Sequence, residues 1–64
     1  MCLASVYREK IQSENLLLSN VQKIECRDGQ IFLTDLFERE LVIEGQIVSV
    51  DLVGNTAVIR ECLQ

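Results

Sequence analysis

Two turn signatures, Asp28-Gly29 and Gly54-Asn55, punctuate this chain between runs of apolar residues that alternate with polar ones. An Asp-Gly pair tolerates the positive φ required at both corners of a two-residue hairpin turn, so it joins antiparallel strands. Residues 21–27 and 30–36 therefore read as the arms of one hairpin. Alternation of period two continues elsewhere. Over residues 3–8 it sets Cys2, Ala4 and Val6 on one face and Leu3, Ser5 and Tyr7 on the other. Over residues 39–44 it points Leu41 and Ile43 inward, with Glu40, Val42 and Glu44 outward. Gly45 reads as a break. Residues 46–53 follow as the next strand, with Val48, Val50 and Leu52 on one face and Ile47, Ser49 and Asp51 on the other. The Gly54-Asn55 turn leads into a last strand over residues 56–62. Residues 10–15 are polar and read as a turn, and Leu16 to Leu18 open either a strand or a helical turn.

No segment shows sustained helical periodicity, and proline is absent. About six short, mostly antiparallel strands with turns at regular intervals predict an all-β chain whose meander closes into a small barrel. The 64 residues form one domain, 1–64. A domain of this size buries only about 60% of the surface its unfolded chain exposes, so a metal or a partner subunit is expected to add stability. Contiguous apolar triplets, Leu16-Leu17-Leu18 and Ile31-Phe32-Leu33, exceed what one small barrel interior absorbs. A homodimer fits the excess.

Charge and composition narrow the function. Six basic residues against ten acidic ones give a formal net charge of -4. A polyanion is repelled by such a chain, and the basic residues stand singly among acids, so nucleic-acid and anionic-membrane binding are disfavoured. The first ten residues lack the basic start and apolar core of a secretory signal, and no run is long enough to span a bilayer. The chain is expected to be cytoplasmic, with Cys2, Cys26 and Cys62 as reduced thiols. Histidine is absent, and each of the three glycines stands alone, so there is neither a common general base nor a phosphate loop. An enzyme is not expected.

Cys2 offers the most unusual chemistry. Removal of the initiator methionine would leave its thiolate, the α-amine and the next amide nitrogen within one chelate. Such S and N donors favour square-planar Ni(II) over tetrahedral Zn(II), and two termini meeting across a dimer axis would supply four donors. Cys2 also reads simply as a small apolar residue opening an edge strand. Cys26 and Cys62, beside Ile24 and Ile59, read as buried core residues. Asp51 reads as a strand-end acid that binds turn amides before Gly54. Tyr7 and Phe37 read as packing residues, and Arg39 as a solvated ion-pair partner of Glu38 and Glu40.

Three segments carry a resemblance. The opening Met1-Cys2-Leu3-Ala4-Ser5-Val6-Tyr7 resembles the Met-Cys-x-Ala-x-Val-Tyr start of the CooT family of small nickel-binding proteins. Asp35-Leu36-Phe37-Glu38-Arg39-Glu40 resembles that family's Leu-Phe-acidic segment. Gly45-Gln46-Ile47-Val48-Ser49-Val50-Asp51-Leu52 is similar to its Gly-x-Ile-x-x-Val-Asp-Leu segment. The resemblance implies an SH3-like barrel that dimerises and binds Ni(II) through Cys2, with its symmetry mate completing the site. It also implies a role as metallochaperone or nickel store in the maturation of a nickel enzyme such as carbon monoxide dehydrogenase. A metal-free β-barrel interaction module, an RNA-binding adaptor among its versions, is the alternative reading.

Overall fold

The computed structural model describes residues 3–61; Cys2 and Cys62 lie outside the described residues. Five strands occur in the order β1 (Ala4–Arg8), β2 (Leu16–Arg27), β3 (Gln30–Asp35), β4 (Glu40–Asp51) and β5 (Thr56–Glu61). One 3-10 turn, Ser13–Asn15, precedes β2. Sequential neighbours pair antiparallel, and a parallel pairing of β1 with β5 closes the barrel. The all-β barrel is as expected, with five strands in place of about six. No described helix is long and apolar enough to cross a membrane.

The strand count differs because two long strands bend where the sequence reads as broken. β2 runs unbroken from Leu16 through Asn20, whose φ of 55° lets the strand turn a corner without ending. β4 runs through Gly45. That glycine is buried, and a Cβ there would lie 2.1 Å from the Arg60 carbonyl oxygen. Gly45 therefore marks a close approach of two backbones at a barrel bend and does not break the strand. A further register shift lies between Ile47 and Ser49, opposite Ile59 and Val58, so Val48 is an extra, bulged residue.

The Asp28-Gly29 hairpin forms as read, with φ of 51° and 77° at its two corners. Its register sets Ile24 opposite Leu33 and Cys26 opposite Ile31. The next ladder sets Ile31 opposite Ile43 and Leu33 opposite Leu41. Ile31, Leu33 and Ile43 join Val6, Val21, Ala57 and Ile59 in one core, against which Leu17, Leu18, Ile24 and Leu41 pack. Burying each large aliphatic side chain contributes about 1.5–3 kcal/mol.

Cys26 departs from expectation. It is exposed, because β2 beyond Val21 has no described strand on its second side and the inward position there stays uncovered.

Candidate functional site

β1 holds the amino-terminal end of the described chain in a fixed place. Ala4 pairs with Val21 of β2, and Ser5 with Thr56 of β5, so the strand is gripped on both sides from its first residues. Just there lies a cleft at the edge of the barrel. β2 continues past Val21 along β3, whereas β4 ends at Asp51 along β5. These two strand segments border the cleft, of about 260 Å³. Ala4, Val21, Ile24, Val50 and Ala57 give it an apolar lining, while Lys23, Asp51 and Asn55 contribute polar edges.

The turn beside the cleft is rigidly made. Asp51 Oδ1 accepts hydrogen bonds from the Val53 and Gly54 N–H groups, both at 3.0 Å. This is the strand-end role read for Asp51. A Cβ on Gly54 would lie 2.9 Å from the Asp51 carboxylate, so a larger residue there would press on that side chain. Asn55, at φ 57°, completes the turn. Its tip presents Leu52 and Val53, which are 83% and 96% exposed.

Tyr7 is half-buried, in register between Leu16 and Val58, as a packing residue should be. Phe37 is not a core residue: it is 69% exposed, with the Arg39 guanidinium carbon over its ring, 5.4 Å from the centroid.

Arg39 does not pair with Glu38 or Glu40. It reaches Asp35, whose side chain has no exposed surface. Asp35 Oδ1 accepts the N–H groups of Phe37 and Arg39 at 2.9 Å, and Oδ2 accepts Arg39 Nε at 2.7 Å. Burial pushes this carboxyl towards protonation. The Arg39 N–H, the Arg39 guanidinium and its charge, and the Phe37 N–H outweigh that and hold it below its ordinary value. Sequence reasoning missed this acid; an Asp at a strand end with Arg four residues on was the available signal.

Among the described residues, no three Cys, Asp or Glu side chains come together to hold a metal ion. The metal reading of Cys2 thus rests on its sequence position, two residues before Ala4 at the edge of the cleft.

A family model described as CO dehydrogenase accessory protein CooT matches residues 1–60. Among solved structures, one assigned to a CooT from Carboxydothermus hydrogenoformans superposes with a TM-score of 0.83 at 24% sequence identity. The match covers 97% of this chain and 100% of that one, and it speaks for the fold. No curated protein matches the sequence. With the family's pattern spanning the chain from Met1 into β5, this protein belongs to the CooT family of CO dehydrogenase accessory proteins.

Proposed function

We propose that this chain binds Ni(II) as a homodimer, with Cys2 thiolates as ligands at the dimer interface. It acts as a cytoplasmic metallochaperone or nickel store for the maturation of a nickel enzyme such as carbon monoxide dehydrogenase, and performs no catalysis of its own. Membership of a family of CO dehydrogenase accessory proteins is the observation that carries this reading. The position of Cys2 supports it: β1 begins two residues later, beside an apolar cleft at one end of the barrel. The ion is cargo here, taken up and passed on.

Thiolate, amine and amide nitrogen form a strong-field donor set for a d⁸ ion. Each must lose a proton before it binds metal. With ordinary values of about 8.5 for the thiol and about 8 for an α-amine, nickel affinity should rise between about pH 6 and 8. A flat profile across that window would count against the chelate. The test of the site is an ultraviolet–visible titration of the reduced protein with Ni(II) beside Cys2→Ser. Thiolate-to-nickel charge-transfer bands saturating at about one metal per two chains, and missing in the variant, are the expected result. Tight nickel binding by Cys2→Ser would remove the site assignment.

A further inference from the structure

We infer that the loop joining β3 to β4 is where the nickel-enzyme client grips this chain. Phe37 enters an apolar pocket on that protein, and Glu38 and Glu40 meet lysine or arginine side chains at its rim. The inference rests on the maturation reading above and assigns the surface that meets the client.

The loop is exposed yet firmly built. Asp35 Oδ1 accepts the Phe37 and Arg39 N–H groups, and the Asp35 carbonyl accepts the Glu38 N–H at 2.9 Å. The Leu36 N–H donates to the Asn20 carbonyl at 2.8 Å, and the Asp35 N–H to the Arg39 carbonyl at 3.0 Å. Every main-chain N–H from residue 35 to 39 is therefore bonded. Glu38 adopts a φ of 65° to make the corner. So tied, the loop cannot fold Leu36 and Phe37 away, and both stand in water outside the core. The Arg39 guanidinium over the Phe37 ring further restricts where that ring points. Apolar anchors fixed in this way lose little entropy on association, and aromatic residues are prominent among those that dominate binding energy.

Charge selects the occupant. Arg39 is matched by Asp35 at 2.7 Å. Glu38 and Glu40 are exposed, and among the described residues neither has an ion-pair partner. An aromatic ring flanked by two uncompensated carboxylates is thus presented by a chain whose net charge is already -4. Nucleic acid and an anionic membrane are repelled by it. A second copy would set the same carboxylates against these, which opposes contact. The fitting partner is a different protein, with an apolar pocket inside a cationic rim, and the client is the different protein that maturation requires. Residues 36–40 do not line the cleft beside β1, so the grip uses a surface separate from it.

The experiment is biolayer interferometry of the full reduced chain against immobilised, nickel-free carbon monoxide dehydrogenase from the same organism. Phe37→Ala should raise the dissociation constant by about tenfold or more, with the circular dichroism spectrum and the nickel charge-transfer bands unchanged. Glu38→Lys combined with Glu40→Lys should slow association by about tenfold, and wild-type affinity should fall as salt rises from about 50 to 300 mM. Ile11→Ala, which trims an exposed apolar residue elsewhere, should bind like the wild type. The inference is overturned if Phe37→Ala binds as the wild type does, if Ile11→Ala weakens binding equally, or if charge reversal and salt have no effect. Sedimentation equilibrium of Phe37→Ala completes the test: a variant that loosens contact between copies assigns the loop to that contact and overturns it too. The maturation reading fails by a different sign. A wild type that does not bind the dehydrogenase removes the client and the grip together, whereas binding that ignores Phe37 removes the grip alone.

Discussion

Asp35 and Asp51 are both acids at strand ends, yet they act at opposite extremes of solvation. Asp51 is exposed and organises its own turn through two main-chain N–H groups. Asp51→Ala should cost about 1 kcal/mol, lowering Tm by roughly 4–8 °C in a domain of this size; calorimetry checks it. Asp35 is buried, and its carboxylate must stay ionised to hold the Phe37–Arg39 loop. Its folded pKa lies below the unfolded value of about 3.9. The stability it contributes is therefore complete above that value and is lost as pH falls towards the depressed folded one. Urea midpoints measured from pH 2 to 7 should show wild type well above Asp35→Asn at neutral pH, with the two curves converging in acid. Parallel curves would refute the assignment. Asp51 was legible because its partners are two and three residues away. Asp35 was not, because nothing local shows that the core closes over it, and the acids flanking Arg39 drew attention from the one it binds.

At the scale of strands, the turns were legible and the bends were not. Asp28-Gly29 and Gly54-Asn55 declare themselves by residue type, since the positive φ at Asp28, Gly29 and Asn55 is a local demand. Gly45 looks the same in sequence but answers a distant one: the Arg60 carbonyl passes where its side chain would be. Only the fold brings those two backbones together. Gly45→Ala forces that backbone apart at a cost of about 1–3 kcal/mol. The expected result is a Tm fall of roughly 5–20 °C with the barrel retained, whereas Gly29→Ala, strained only by its φ of 77°, should cost about 1–2 kcal/mol. Cys26 was misread for a related reason. The hairpin register sets it opposite buried Ile31, but a strand that outruns its neighbour leaves inward positions open to water.

For the molecule as a whole, the margin is thin. At about 0.05–0.15 kcal/mol per residue, a chain of this length holds roughly 3–10 kcal/mol of folding free energy. Ile31 is fully buried at the centre of the core, and Ile31→Ala should cost about 2–5 kcal/mol. Urea denaturation should show the midpoint reduced by about a fifth or more, and a shift of only a few per cent would mean the core relaxes to fill the gap. Partnering would add to this margin with the logarithm of protein concentration, so Tm should climb as the sample is concentrated if the chain is a homodimer.

The parallel contact between β1 and β5 also has a temporal meaning. Ser5 lies beside Thr56 and Arg8 beside Ile59, so the first strand made waits for the last before the ring can close. Pairings this far apart in sequence make folding slow for so short a chain. At about 5–20 residues per second, the ribosome takes several seconds to reach β5. Through that interval the segment around Ala4 lacks one of its two flanking strands, and its outer backbone groups are left to water until β5 arrives.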